Sequence, residues 1–146
     1  MHALTQIRNA VVGYVTGLAA TGSNVFEHPA YNVRDAQLPA LIVALGESQT
    51  VEVSIGPQSR LNQQVELTIT ALAKNTSGVA ANLEAIAAQV ETELGPHHDL
   101  GIGTKGVELQ GRSVEISADG SAPIGALTLS YLVRFMIAQG APETLI

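Results

Sequence analysis

The residues with the most chemical potential are His97-His98-Asp99, just after the Gly95-Pro96 break. Imidazole and carboxylate side chains ligate metals, but a site needs several of them converging from different elements. No further ligand is spaced to join this trio, and a solvated loop accounts for it. His2 and His28 have no motif around them. The segment Gly101-Ile102-Gly103-Thr104-Lys105-Gly106 has the composition of a phosphate-binding loop. Its spacing is wrong for G-x-x-x-x-G-K-[ST], because Val107 and Glu108 follow Gly106. The segment also runs into a strand pattern, so no helix N-terminus would face an anion. Carboxylate pairs for acid–base work would have to come from Glu52 with Glu66, or from Glu108 with Glu115. Such a pair needs a concave site, and both fall on strands that read as half-exposed, so a wet sheet face accounts for them. No G-x-S-x-G nucleophile elbow occurs. The absence of cysteine removes thiol catalysis, disulfides and zinc–thiolate sites together. The expectation is a protein without catalytic residues, metal or cofactor.

The elements that would position any site come from hydropathy. Of 146 residues, 46% are hydrophobic and only 14% charged, so a packed core is expected rather than a disordered chain. Aromatics are 3%, which leaves Val, Ile, Leu and Ala to build that core. The formal net charge is -6, and the seven basic residues are scattered. Nucleic acid binding needs clustered Lys and Arg, so it is not expected. Arg8 interrupts the apolar N-terminal segment, which argues against a signal peptide. Nothing approaches the ~18 consecutive apolar residues of a membrane span. A soluble protein is expected, with no membrane partner.

Leu4, Ile7, Val11, Tyr14, Val15 and Leu18 recur at steps of three and four, which predicts a helix over Ala3 to Leu18. Ser77 to Leu94 repeats the pattern with Val79, Leu83, Ile86, Val90 and Leu94, capped by Thr76 or Ser77. Leu38 to Gly46 is a short continuous apolar run, as in a strand buried on both faces. Thr50 to Ile55 and Gln64 to Ala73 alternate strictly, as half-buried strands do. Val107 to Ser117 is irregular around Gly111, a sign of a bulge. Ala126 to Ala138 is the longest alternating run, and Asp119-Gly120 marks the turn before it. The predicted fold class is α+β, with one mainly antiparallel sheet of about four to five strands. Two amphipathic helices cover one face. A single domain over 1–146 is expected, with the loop 22–39 and the tail 139–146 mobile.

Two features remain without chemistry. Asn24 to Pro39 is long and irregular, apart from a short edge strand at Val25-Phe26, and loops of this kind are commonly functional. The outer sheet face would carry Thr68, Thr70, Thr128 and Ser130 with Leu132 and Met136, uncharged enough to suit a protein contact. Charged and polar residues beside the loops are the interface candidates: Arg34, Asp35, Gln58, Arg60 and Arg112.

The order of segments adds a resemblance. "LTQIRNAVVGYV", "LPALIVALGES" after a long loop, "VELTITALAK" leading to "LEAIAAQVETEL", and the closing "LTLSYLVRFMI" resemble the phage tail terminator proteins, including minor tail protein U of lambda-like phages. The resemblance runs from about Leu4 to Ile137 and carries no short motif that transfers residue by residue. It implies a structural subunit of the virion tail, assembled in the host cytoplasm. It also implies a homo-hexameric ring that caps the tail tube, stops its polymerisation and offers a surface to a head-completion connector. The implied partners are therefore copies of itself, the tail tube protein and that connector. A head-side neck or stopper connector is the alternative of the same class. A small ligand-binding domain or enzyme around His97-His98-Asp99 is the alternative of another.

Overall fold

The structure, a computed structural model, describes residues 1–27, 38–53, 56, 59–116 and 124–146. Its elements run α1 (Ala3–Val15), β1 (Val25–Phe26), β2 (Ala40–Val53), β3 (Arg60–Lys74), α2 (Val79–Leu94), β4 (Gly106–Glu115), β5 (Ile124–Ala138) and β6 (Ala141–Leu145). The strands form one sheet in the order β1-β2-β3-β5-β4, with β6 joining β5 beyond the end of β4.

The sheet is built around β3 and β5. They pair without a break, from Arg60 with Ala138 to Lys74 with Ile124. Strict alternation in both strands sends Val65, Leu67, Ile69, Ala71 and Ala73 to one face, beside Leu127, Leu129, Tyr131, Val133, Phe135 and Ile137. Both helices lie on that face. From α1 come Ala3, Ile7, Val11 and Val15; from α2 come Val79, Leu83, Ile86, Ala87, Val90 and Leu94. All of these residues form one continuous hydrophobic cluster. Branched aliphatics fill it, and Phe135 is the largest side chain fully buried in it.

Small departures from the sequence reading have local causes. The sheet has six strands and is mixed, where four to five mainly antiparallel strands were expected. The short strand read at Val25-Phe26 is β1, which joins β2 in parallel and makes the sheet mixed; the strand not foreseen is β6, which pairs antiparallel at Ile137 and Ala138. The tail, expected to be loose, forms β6 because Gln6 of α1 donates to the Glu143 carbonyl at 2.7 Å. The two predicted strands at 38–46 and 50–55 are one strand, β2, bent by register shifts between Leu45 and Ser48 and between Thr50 and Glu52. Neither face of β2 is closed throughout: Leu41 and Val43 are buried under the helices, while Ile42 and Ala44 on the far side are half-buried. Helix α2 starts at Val79 with Gly78 as its cap residue and no side-chain cap bond, so neither Thr76 nor Ser77 plays that part. The bulge expected at Gly111 falls between Leu109 and Gly111. The predicted turn at Asp119-Gly120 lies outside the described residues.

Helix α2 is also tied to the sheet by a charged contact. Arg112 on β4 reaches Glu91 with two nitrogens, Nη2 to Oε1 and Nε to Oε2, a bidentate pair. Tyr131 lies beneath this pair, 5% exposed. Burial pushes its phenol up to about 12; the Glu91 charge adds to the rise and Arg112 opposes it.

Two outcomes follow from this packing. Gly125 sits where a Cβ would lie 2.8 Å from Cγ2 of Val79, a stiff branched side chain. Gly125→Ala is expected to cost about 1–3 kcal/mol in denaturant unfolding, and Phe135→Ala about 3–5 kcal/mol. The second outcome concerns pH. The Tyr131 phenol ionises near 10 when unfolded and near 12 when folded, so the folded state holds the proton longer. Its contribution is therefore full below pH 10 and is lost as pH rises through about 12, by at most about 3 kcal/mol. Tyr131→Phe is expected to remove this part of the alkaline slope in unfolding curves collected across that range.

Candidate assembly surface

The face of the sheet away from the helices is left without a covering element among the described residues. Pairing register lays it out in rows. Ile42, Thr70, Thr128 and Ser113 form one row, from β2 to β4. Ala44, Thr68, Ser130 and Gly111 form the next. The Thr70 and Thr128 hydroxyls meet at 3.2 Å, and the Thr68 hydroxyl donates to the Ala44 carbonyl at 3.4 Å. These bonds satisfy the hydroxyls within the sheet and leave a flat, neutral, partly apolar centre. Charge gathers toward one end. There Glu66 and Glu108 flank Leu132, and Arg134 reaches Glu108 at 3.6 Å. Both partners of that ion pair are about half exposed, so it contributes little to stability.

The sequence reading named Thr68, Thr70, Thr128, Ser130, Leu132 and Met136 for this face, and the structure places them together on it. It missed Ile42 and Ala44, because a continuous apolar run hides which of its residues faces out. Of the interface candidates, Arg34, Asp35 and Gln58 lie outside the described residues. Arg60 is exposed at the start of β3, paired with Ala138 near the end of β5. Arg112 lies on the edge strand β4 opposite Leu129, on the helix side, engaged by Glu91. The structure does not bring Arg60 and Arg112 together.

The chemically suggestive loop has structural work for its polar groups. The His97 ring stacks on Tyr14 of α1, centroids 4.2 Å apart. The Asp99 carboxylate accepts from the Gly101 N–H at 3.0 Å, and the Thr104 hydroxyl donates to the His98 carbonyl at 2.8 Å. Gly101 and Gly103 hold φ of 68° and 93°, which lets the chain double back before β4. Leu100 between the tight turns also has positive φ, and it is anchored by burial in the core. No group of three metal-ligating side chains forms among the described residues. Two surface grooves of about 520 and 540 Å³ are present. The first is lined mainly by apolar residues with Lys74, Thr76 and Asn82, the second by Gln63, Gln64, Phe135 and Met136 with Lys105 and Arg134. No helix among the described residues is long and apolar enough to cross a membrane.

Comparison with known proteins places the fold. No family model matches the chain, and no curated protein does. Among solved structures, it is similar to a chain described as "Virion of native gene transfer agent (GTA) particle". The likeness has a TM-score of 0.58 at 16% identity and covers 92% of this chain and 98% of that one. Shared architecture over nearly the whole of both chains, at so low an identity, establishes a common fold.

Proposed function

We propose that this chain is a non-enzymatic structural subunit of a virion, a tail terminator that assembles as a six-membered ring on the end of the tail tube. The observation that carries this reading is the one-sided sheet. Two helices close one face, and a neutral face with partly apolar rows is left for contact with other proteins. The segment order resembles the tail terminators, and the fold is that of a chain from a gene transfer agent virion. A ring subunit needs two different patches, each complementary to the other on the next copy. Arg34, Asp35, Gln58, Arg60 and Arg112 are the proposed contacts to neighbouring subunits or the tube. The connector at the head would meet the opposite end of the ring.

Electron microscopy of the purified protein mixed with tail tubes tests this reading. Rings seated on tube ends, with tube growth arrested, are the expected result. Binding to filled heads but not to tubes would replace it with the neck or stopper connector. For the contacts, Arg34→Glu with Arg60→Glu is expected to give overlong tails and a loss of infectivity. Tails of normal length would remove those two residues from the interface.

A further inference from the structure

The sheet has two long edges that nothing among the described residues covers. On one side β4 pairs with β5 alone. On the other, β1 reaches only Leu41 and Ile42, so residues 43–53 of β2 have no outer neighbour among the described residues. Each edge is a row of backbone donors and acceptors ready to accept another strand. Lys and Pro, which commonly block such pairing, are absent from both strands, whose charges are Glu47 and Glu52 on β2 and Glu108, Arg112 and Glu115 on β4. Both strands also expose valine. Val51 and Val53 on β2 are 62% and 54% exposed, and Val114 on β4 is 55% exposed. Together they are three of the five large hydrophobic side chains exposed among the described residues.

Strand direction then selects the partner. From β2 through β3 and β5 to β4, every pairing is antiparallel. Four strands alternating in direction make the two edges run opposite ways. A second copy brought alongside by rotation about an axis near the strand direction keeps its helices on the same face. It sets its β2 antiparallel to the first copy's β4, continuing the ladder without a break in alternation. A two-fold contact of β4 with β4 would leave both β2 edges bare, whereas head-to-tail closure leaves no edge. The bulges in β2 and β4 supply the bend that a closed sheet needs.

We infer that copies of this chain join head to tail through their sheet edges, β4 of one copy pairing with residues 43–53 of β2 in the next. The inference rests on the ring reading above and names the contact within it. The chain has no cysteine, so introduced thiols are unique. Gln49→Cys on β2 and Glu108→Cys on β4 place exposed thiols on the bare face of each edge. Treated with a flexible bis-maleimide, the two single variants mixed are expected to give a one-to-one heterodimer. Neither single variant alone is expected to give a dimer, and the double variant should give a ladder of oligomers. Dimers from Glu108→Cys alone would show two-fold β4 pairing and overturn the inference, as would no cross-link in the mixture. The same reaction on protein bound to tail tubes separates the two claims. Rings on tubes without the Gln49–Glu108 cross-link would sink the edge contact alone. A cross-linked ladder from protein that never binds tubes would sink the tube-capping reading alone. Val114→Lys, which places a charge at the β4 edge, is expected to weaken self-association about tenfold or more with an unchanged circular dichroism spectrum. Unchanged association would count against β4 as the contact.

Discussion

Everything in this molecule hangs on the unbroken pairing of β3 with β5. Fifteen residues of each strand lie side by side in one register. A slip of one residue would turn Val65, Leu67 and Ile69 to the bare face and Thr68 and Thr70 into the core. The register is therefore fixed by burial, and every other element depends on it. The helices are held against the apolar face of this pair, β2 and β4 are added to its two sides, and β6 extends past Ile137. Because the two central strands are long, the face that the helices do not cover is long as well.

Much of this was legible in the residues. Alternation in Gln64–Ala73 and Ala126–Ala138 named the inner face residue by residue, since period two leaves no second choice. The stripe of α2 was equally plain, whereas that of α1 was read too far: the helix stops at Val15, and Leu18 lies beyond it. What stayed hidden depended on neighbours that periodicity does not carry. Residues Gly46 to Gln49 break the alternation, so β2 read as two strands until its pairing with β3 showed one strand with bulges. The tail residues Ala141–Leu145 have little strand character by themselves, and contacts with α1 and β5 make them a strand. Gly125 falls just before the run that alternation picks out, and its missing side chain is what lets Val79 approach.

The candidate surface was half legible for the same reason. Threonines and serines on the outer side of two strands could be named, but the row that Ile42 and Ala44 complete requires the register. Arg112, picked for its charge, is occupied by a helix partner 21 residues before it in the chain, a contact that spacing does not reveal. The open edges were invisible, because a sequence shows which residues alternate and not which strand ends a sheet. Local patterning thus determines the closed side of this protein, and topology determines the side that is left for others.

The proposed assembly requires the edges of the sheet to meet other copies. Hydrogen exchange resolved along the chain, compared between free protein and protein bound to tail tubes, tests this directly. Backbone amides in 43–53 and 106–115 should gain protection on binding, while those of β3 and β5 should change little. Protection gained only along α1 and α2, with both edge strands exchanging as before, would contradict it.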